Sequence, residues 1–349
     1  TGMEEEKYMR RCIQLAQNGL CNTAPNPMVG AVIVCDGKII GEGYHIRCGE
    51  AHAEVNAIRS VKEPSLLKRS TIYVSLEPCA HYGKTPPCAD LIIEKQIPRI
   101  VIGCQDPFAK VAGRGIQKLK DAGREVIVGV LEEDCKNLIR RFVTFHSLHR
   151  PYITLKWAES ADKHIDKCRK DGKPVILSTP LTSMLVHKRR AEHSAIMVGT
   201  HTAELDNPSL TVRNWQGQSP VRIVIDRQQR LSPSLHLFDD SIRTLVFTGQ
   251  PHAAFPNTEY IVIDFQQNIL PQIMQHLYAQ ELQSLLVEGG SYLLQSFINA
   301  ELWDEIFVEE SPLKLFSGVK APEIGNKIPY VNEQYFGRNF RHYIATRLG

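Results

Sequence analysis

The first half of the chain alternates short apolar runs with amphipathic stretches. Residues 4–18 carry apolar side chains at helical spacing, and strand-length runs at 28–35 and 39–44 flank Asp36-Gly37-Lys38, a strong hairpin signal. Further strands are predicted at 71–76, 99–104 and 125–128, and further helices at 51–60, 88–95, 115–122 and 132–146. This alternation predicts a three-layer α/β domain over residues 3–147.

The second half repeats the alternation after a break near residues 146–152, where Pro151 prevents the preceding helix from continuing. Its strands are predicted at 153–157, 195–199, 221–226, 243–248, 260–264, 284–288 and 305–309, and its helices at 180–193 and 291–300. A second α/β domain is therefore predicted over residues 148–349.

Composition narrows the class of protein. Hydrophobic residues make up 43% of the chain and charged residues 23%, as in ordinary soluble globular proteins, and the formal net charge is +3. This balance gives no electrostatic reason to expect a nucleic-acid partner or a membrane partner. No apolar run approaches the length of a membrane span.

The cysteines indicate a reducing compartment. The nine cysteines are an odd number, scattered along a long chain in which we recognise no secretory signal. We therefore expect reduced thiols in a cytoplasmic protein. Thr1-Gly2 ahead of Met3 is interpreted as a remnant of an expression vector and takes no part in the predictions.

Three residues of the first half have the chemistry of a catalytic metal site. His52, Cys79 and Cys88 offer one imidazole and two thiolates, and three protein ligands leave the fourth tetrahedral position of zinc open for water. Glu54, predicted with His52 in the first turn of a helix, would point about 200° away from it. We therefore expect a general acid/base at Glu54 and not a fourth ligand. The alternative is a surface histidine and two buried thiols.

The order His-x-Glu, Pro-Cys, Cys resembles the zinc nucleobase deaminases, in which two residues usually separate the cysteines, whereas eight do here. Six phrases make the resemblance more specific: Pro25-Asn-Pro-Met-Val-Gly30, Gly41-Glu-Gly-Tyr-His45, His52-Ala-Glu54, Leu76-Glu-Pro-Cys-Ala-His81, Gly83-Lys-Thr-Pro-Pro-Cys88 and Val111-Ala-Gly-Arg-Gly115. In sequence and order these phrases are similar to the deaminase half of the bifunctional riboflavin-biosynthesis deaminase–reductases. The separation of the two cysteines by eight residues is typical of that family. The resemblance implies a cytidine-deaminase-like three-layer α/β/α domain that binds Zn²⁺ and shuttles a proton on Glu54.

The same resemblance implies a set of contacts with a pyrimidine ribosyl phosphate. They are Asn26, His45, Lys84, Thr85 and Asp106. Lys84 and Thr85 also lie in the loop between two predicted zinc ligands, where they are candidates for contact with a substrate phosphate. One departure is clear, since the family's Asp-Pro-Asn-Pro reads Asp106-Pro-Phe-Ala109 here and lacks the asparagine.

Two features of the second half suit phosphate binding on chemical grounds alone. The strand ending in Glu288-Gly289-Gly290 precedes a helix, so bare backbone amides and a helix N-terminus face a cofactor phosphate. Arg190 and Arg213 are candidates for a bidentate grip on a substrate phosphate. The alternatives are an ordinary Gly-Gly turn and a solvated basic helix face.

Six phrases of this half resemble the reductase half of the same family: Thr154-Leu-Lys156, Thr179-Pro180, Val198-Gly-Thr200, Asp206-Asn-Pro-Ser-Leu-Thr-Val-Arg213, Arg222-Ile-Val-Ile-Asp226 and Val287-Glu-Gly-Gly290. The resemblance implies a dihydrofolate-reductase-like α/β domain that uses NADPH to reduce a ribosyl group to a ribityl chain. The substrate contacts that it implies are Arg190, Asp206, Leu210, Arg213 and Glu288. The cofactor contacts that it implies are Thr202, Gly289 and Gly290. Asp206 and Glu288 are the candidate proton partners.

The second half departs further from its family than the first. In Gly172-Lys-Pro-Val-Ile176, Pro174 stands where the family has a serine that touches substrate, and Ile176 stands where it has a tryptophan that meets the nicotinamide. Asn207 replaces the second aspartate of Asp-Asp-Pro. We expect a working reductase with weakened cofactor affinity; a non-catalytic scaffold is the alternative.

The predicted activity is hydrolytic deamination of 2,5-diamino-6-ribosylamino-4(3H)-pyrimidinone 5′-phosphate, followed by reduction of its ribosyl group with NADPH. We expect small-molecule ribotides as partners, no nucleic acid or membrane, and a homo-oligomer. An RNA-editing adenosine deaminase is a rival, but it would need a basic, aromatic-rich face that a net charge of +3 does not favour.

Overall fold

The computed structural model describes residues 2–108, 110–169 and 173–345. The chain divides into two compact units, Thr1–Ser147 and Leu148–Gly349, and each is described by itself. Two residues of the family phrases discussed above, Ala109 and Gly172, lie outside the described residues. No helix in the described ranges has both the length and the apolar character that crossing a membrane requires.

The first unit is built on a five-stranded sheet in the order β2-β1-β3-β4-β5. Strand β1 pairs antiparallel with β2 and β3, whereas β3, β4 and β5 run parallel. Its strands are β1 Gly30–Cys35, β2 Lys38–Tyr44, β3 Thr71–Leu76, β4 Arg99–Cys104 and β5 Glu125–Val128. Its helices are α1 Gly2–Ala16, α2 Ala53–Ser60, α3 Cys88–Glu94, α4 Arg114–Asp121, α5 Glu132–Leu138 and α6 Arg140–Leu148.

Helices cover both faces of this sheet because successive strand residues point to opposite sides. Ala31 and Ile33 of β1 pack in a core with residues of α2, α3 and α4. Val32 and Val34 of the same strand pack in a second core with residues of α1 and α5. The predicted three-layer arrangement is therefore confirmed.

Two local predictions in this unit are wrong. The single helix predicted over 132–146 is two helices, because the backbone leaves helical geometry at Ile139 (φ −100°, ψ 15°), next to the buried Leu138. His52 does not lie in a helical turn with Glu54. It is the residue preceding α2, with an extended backbone, and Glu54 lies in the first turn of that helix.

The second unit contains a nine-stranded sheet in the order β11-β10-β9-β8-β12-β6-β13-β16-β15. The strands from β11 to β13 are parallel, and β16 and β15 add an antiparallel hairpin. Its strands are β6 Tyr152–Glu159, β8 Ala195–Val198, β9 Val221–Ile225, β10 Thr244–Thr248, β11 Thr258–Val262, β12 Ser284–Gly289, β13 Glu305–Glu310, β15 Val331–Tyr335 and β16 Arg338–Ile344. A separate two-stranded sheet pairs β7 His164–Asp166 with β14 Val319–Lys320.

Helices again lie on both faces of the large sheet. They are α7 Pro180–Ala191, α8 Thr200–Asp206, α9 Ile269–Ala279 and α10 Ser291–Asn299. Leu285 and Val287 of β12 enter a core with α9 and α10, whereas Leu286 between them enters a core with Ala203 of α8. This confirms the predicted second α/β domain; four strands (β7, β14, β15, β16) and two helices (α8, α9) in it were not predicted.

Candidate active sites

The first candidate site lies where β3 and β4 end and α2 and α3 begin. His52 precedes α2, Cys79 follows β3 by three residues, and Cys88 is the first residue of α3. The structure brings one ligand atom from each of the three within 4.8 Å of the others. The Nδ1 atom of His52 lies 3.3 Å from the Sγ atom of Cys88 and 3.9 Å from that of Cys79. Ligands on a tetrahedral zinc would be about 3.5 Å apart, so the donor set fits the metal.

The hydrogen bond between the two cysteines shifts their pKa values in opposite directions. Cys79 accepts hydrogen bonds from the Cys88 thiol and, at 3.2 Å, from the Cys88 backbone N–H, and these lower the pKa of Cys79 to about 4. The same bond to Cys79, together with burial, raises the pKa of Cys88. Cys79 is therefore a thiolate at neutral pH, the form that binds a metal.

Glu54 lies at the base of the cavity with 4% of its surface exposed. Burial, followed by the negative charge of the nearby Cys79, raises the pKa of Glu54 to about 7. A carboxyl group with a pKa close to the working pH can both take and return a proton. The helical geometry that was expected to separate Glu54 from His52 is not present, because the backbone of His52 is extended. Glu54 nevertheless lies outside the three-residue ligand cluster, as predicted.

A cavity of about 330 Å³ opens above this cluster. Asn26, His45 and Asp106 line it, as do His52, Cys79 and Glu54. Burial lowers the pKa of His45, so its ring is neutral; we assign Nδ1–H as the donor to the carbonyl of Ala51 at 3.1 Å. Its Nε2 atom then accepts from the side-chain amide of Asn26 at 3.3 Å. These two bonds fix the orientation of both side chains at the cavity wall.

Two predicted substrate contacts do not line the cavity. Lys84 and Thr85 are exposed in the loop between β3 and α3. Several lining residues had no role in the prediction, namely Glu77, His81, Val111, Arg114 and Phe142. Glu77 and His81 lie in the phrase Leu76–His81, which carries part of the resemblance. Their position two residues from Cys79 in the sequence could therefore have indicated that they lie at the site. Phe142 had none, because α6 reaches the cavity only through tertiary packing.

The second candidate site is a cavity of about 740 Å³ at the carboxyl ends of β6, β8 and β12. Thr202, Gly289 and Gly290, the predicted cofactor contacts, all line it. A Cβ atom at Gly290 would lie 2.8 Å from the Oγ1 atom of Thr202, so a larger residue there would force the Thr202 side chain to move. Gly290 directly precedes α10, which leaves the first amides of that helix facing the cavity.

Arg190 and Glu288 form an ion pair inside this cavity. Their two parallel hydrogen bonds measure 2.9 and 2.8 Å, and a third N–H of Arg190 donates to the Thr211 carbonyl at 3.1 Å. Burial opposes ionisation of Glu288, but the charge of Arg190 outweighs it and lowers the pKa of Glu288. Glu288 is thus ionised, and Arg190 already has a carboxylate partner.

The remaining predicted substrate residues are more scattered. Asp206 lines the cavity and forms an ion pair with Arg169, which also bonds Asp166 at 2.7 Å. Arg213 is exposed outside the lining, where its Nη1 atom donates to the Thr211 hydroxyl at 2.8 Å. Leu210 is 1% exposed and packs in the core with residues of β8 and β9, so its side chain does not reach the cavity.

Comparisons with known proteins identify the family of each unit. Residues 3–104 match the model of the cytidine and deoxycytidylate deaminase zinc-binding region, and residues 151–316 match that of the RibD C-terminal domain. Riboflavin biosynthesis protein RibD of Aquifex aeolicus is 36% identical over 326 residues, covering 92% of this chain and 90% of that protein. The chain belongs to the RibD family of bifunctional riboflavin-biosynthesis deaminase–reductases.

Solved structures of RibD family members extend over the whole chain. A diaminohydroxyphosphoribosylaminopyrimidine deaminase/5-amino-6-(5-phosphoribosylamino)uracil reductase from Thermotoga maritima has a TM-score of 0.88 and 37% identity, covering 98% of each chain. Acinetobacter baumannii RibD has a TM-score of 0.86 and 31% identity, covering 99% of this chain and 100% of that one. The chain therefore combines a zinc-binding, cytidine-deaminase-like domain with an NADPH-dependent reductase domain, and the predicted family and fold class are confirmed.

The departures from the RibD family pattern have structural counterparts. Phe108 is not a lining residue of the deaminase cavity; its ring packs edge-on against Phe142, 5.6 Å away. Pro174 and Ile176 line the reductase cavity, and Ile176 is 81% exposed there. Asn207 has a left-handed backbone (φ 43°), and its side chain accepts from the His236 N–H at 2.7 Å.

Proposed function

We propose that residues 3–147 deaminate a diaminopyrimidine ribosyl phosphate and that residues 148–349 reduce the ribosyl group of the product to ribityl. The substrate is 2,5-diamino-6-ribosylamino-4(3H)-pyrimidinone 5′-phosphate. The observation that carries the proposal is the donor set of His52, Cys79 and Cys88 beside a cavity of about 330 Å³. The carboxyl group of Glu54 lines the same cavity without belonging to the donor set. In deamination, the oxygen of water replaces the ring amino group, which leaves as ammonia.

His52, Cys79 and Cys88 would hold the zinc ion, whose chemistry when bound is to lower the pKa of water. The lowered pKa of Cys79 supports this assignment because the thiolate is the form that binds a metal. Glu54 takes the proton that water loses, delivers a proton to the ring nitrogen, and finally protonates the departing ammonia. A carboxyl group held with a pKa near 7 suits all three transfers.

The cavity wall orients the pyrimidine. Asn26 and the neutral His45 present fixed donor and acceptor groups, and Asp106 presents a carboxylate. Burial raises the pKa of Asp106, so it is more readily protonated than a surface aspartate. Lys84 and Thr85 take the ribosyl phosphate from the exposed loop between Cys79 and Cys88, where a phosphate retains part of its hydration.

In the reductase unit, Thr202, Gly289 and Gly290 bind NADPH, with the amides at the start of α10 against a phosphate. Arg190, Asp206, Leu210, Arg213 and Glu288 form the substrate side, with Leu210 acting through its backbone. NADPH supplies a hydride to the carbonyl carbon of the open-chain sugar. The oxygen of that carbonyl takes a proton through Glu288 or Asp206, two of the three carboxyl groups that line the cavity.

Product masses test the proposal. We would incubate the protein with the diaminopyrimidine ribotide, with and without NADPH. Without NADPH we expect only the deaminated ribotide, about 1 Da heavier than the substrate, because an amino group becomes an oxygen function. With NADPH we expect that product plus two hydrogens. Deamination without any NADPH-dependent product would leave the second unit as a scaffold and contradict the bifunctional assignment.

We further propose a homo-oligomeric, cytoplasmic enzyme that acts on small molecules and not on nucleic acid. All nine cysteines are free thiols, which suits a reducing compartment. Strand β15 ends the large sheet with an unpaired edge, and Tyr330 and Phe336 near it are 73% and 55% exposed, which supports self-association. Light scattering tests the assembly; a monomer at micromolar concentration would contradict it.

A further inference from the structure

Glu77 is a buried carboxylate with no assigned role, two residues before the predicted metal ligand Cys79. It is 7% exposed and accepts three backbone N–H bonds, each 3.0 Å long. Its Oε1 atom bonds the amides of Asp106 and Gly113, and its Oε2 atom bonds that of Ile116. One side chain therefore fixes both ends of the segment 105–113 and the first turn of α4.

This segment forms one wall of the deaminase cavity. Asp106 and Val111, both within it, line the cavity, as does Arg114 just after it. The carboxylate of Asp106 is in turn fixed by the backbone N–H of Phe108, which it accepts at 2.9 Å. The position of the predicted substrate contact Asp106 therefore depends on the amide that Glu77 holds.

The segment that carries Glu77 also lines the cavity, through Leu76–His81. The backbone N–H of Glu77 donates to the Cys104 carbonyl at 2.9 Å, which attaches the start of the Glu77-Pro78-Cys79 segment to the end of β4. A Cβ atom at Gly115 would lie only 1.9 Å from the Pro78 carbonyl oxygen, so the start of α4 packs directly on the metal-ligand segment. Glu77 thus joins the metal side and the substrate side of one cavity.

Backbone groups stabilise the charge of Glu77. Within the described ranges, its carboxylate accepts hydrogen bonds from three backbone amides. Amides at a helix N-terminus carry partial positive charge, and hydrogen bonds to an ionised acceptor are roughly twice as strong as neutral ones. Replacing the carboxylate would therefore release the segment 105–113.

We infer that Glu77 is a positioning residue for deamination, which sets the distance between the metal ligands and the substrate-binding wall. The inference rests on the proposed deaminase site. Its consequence is specific: loss of the carboxylate moves Asp106 and its neighbours away from bound substrate while His52, Cys79 and Cys88 keep the metal. Substrate binding should then suffer more than the chemical step, so KM rises more than kcat falls.

The test compares Glu77→Gln and Glu77→Ala in the full chain. Glutamine keeps one acceptor oxygen, so it can retain the bonds to Asp106 and Gly113 but turns an N–H donor against Ile116. We expect KM for deamination to rise about tenfold in Glu77→Gln and about a hundredfold in Glu77→Ala, with one zinc per chain retained in both. Hydrogen exchange of the Asp106, Gly113 and Ile116 amides should accelerate in the same order.

Asp226→Asn in the second unit is the matched control. Asp226 is 2% exposed and accepts two backbone N–H bonds, from Arg230 at 3.0 Å and Leu231 at 3.1 Å. Asp226→Asn should accelerate hydrogen exchange of the Arg230 and Leu231 amides and leave the KM for deamination unchanged.

Two results would overturn the role of Glu77. The first is faster hydrogen exchange of the amides between 105 and 116 with an unchanged KM for deamination. The second is a lower kcat that accompanies loss of zinc, again with an unchanged KM. If the alanine variant does not fold, the glutamine variant decides. An unmodified protein that does not deaminate would instead contradict the proposed function.

Discussion

Burial and hydrogen bonding give each titratable group of the deaminase cavity a different charge. Cys79 is a thiolate because Cys88 donates to it, and His45 is neutral because it is desolvated. Glu54 has neither a cation nor a backbone donor strong enough to offset its burial, so its pKa rises to about 7. At the scale of single residues, the environment therefore distinguishes a metal ligand, a substrate contact and a proton carrier.

Replacing Glu54 with glutamine should separate metal binding from proton transfer. Because Glu54 lies outside the ligand cluster, we expect Glu54→Gln to retain one zinc per chain. Because the amide cannot accept and return a proton, we expect deamination to fall by about 10²-fold or more. Metal analysis and the initial rate of ammonia release measure the two effects. The exposed Glu63→Gln is the control; loss of zinc in Glu54→Gln would make Glu54 a ligand and contradict its role.

Arg190→Ala should affect the reductase substrate more than NADPH. The substitution removes two hydrogen bonds to Glu288, leaves that carboxylate buried without its ion-pair partner, and removes the proposed substrate contact of Arg190. The hydrogen bonds of Arg190 go to Glu288 and Thr211 and not to the predicted cofactor contacts Thr202, Gly289 and Gly290. We expect the KM for the deaminated ribotide to rise about tenfold or more, with the NADPH dissociation constant nearly unchanged. Lys188→Ala, an exposed residue on the same helix, is the control; an equal loss of NADPH affinity would contradict the assignment.

At the scale of elements, local pattern predicted the elements of the first unit well. The hairpin at Asp36-Gly37 and the parallel strands at 71–76 and 99–104 lie where apolar runs and turn residues placed them. The break at Ile139 was missed because the apolar pattern continues through it, and only packing of both Leu138 and Ile139 requires the change of direction. The β15–β16 hairpin was missed because strand β15 is mostly exposed and so has no apolar alternation.

The short range of local sequence pattern also explains which predicted site residues lie together in the structure. The residues of the metal cluster lie in short phrases beside strand and helix ends, so their proximity follows from local structure. The scattered reductase residues depend on longer connections: Asp206 meets Arg169 across 37 positions, a pairing that no local pattern indicates. Leu210 likewise was assigned to the substrate, although its side chain belongs to the core.

Phe108 should act through α6, the helix against which it packs. Its ring contacts Phe142 and His146 at centroid distances of 5.6 and 6.0 Å, which fixes the middle of the segment carrying Asp106. We expect Phe108→Ala to raise the deamination KM about tenfold, because roughly 1–2 kcal/mol of ring packing is lost. Phe108→Tyr keeps the ring and should behave as the unmodified protein. Equal kinetics for the alanine variant and the unmodified protein would show that this contact does not position the segment.

At the scale of the whole molecule, each unit has its own core and its own cavity, so the two reactions should respond separately to perturbation. Removing zinc with a chelator should abolish deamination. Reduction of the separately supplied deaminated ribotide should continue, because none of the reductase cavity residues belongs to the metal cluster. NADPH oxidation followed at 340 nm measures it. Simultaneous loss of both activities, with recovery of both on adding zinc, would contradict separate sites.

The substitutions above are expected to weaken binding or catalysis, whereas one substitution in the reductase unit should increase cofactor affinity. Ile176 lines the cavity with 81% of its surface exposed, and it occupies the place where the family pattern has a tryptophan. A flat aromatic surface stacks on a nicotinamide ring, whereas a branched aliphatic side chain does not, and such contacts contribute about 0.5–1.5 kcal/mol. We therefore expect Ile176→Trp to tighten NADPH binding about three- to tenfold.

The deaminase unit provides the internal control for this gain, since Ile176 belongs to the other unit. Deamination kinetics should be identical in Ile176→Trp and the unmodified protein. The NADPH dissociation constant from a direct titration and the KM for NADPH should both be lower in Ile176→Trp. The contact should act at the nicotinamide end only, because the phosphate end depends on the Gly289-Gly290 turn and the start of α10. A phosphate fragment lacking the nicotinamide should therefore bind both proteins equally. If the fragment and the whole cofactor gain the same affinity, Ile176 is not at the nicotinamide.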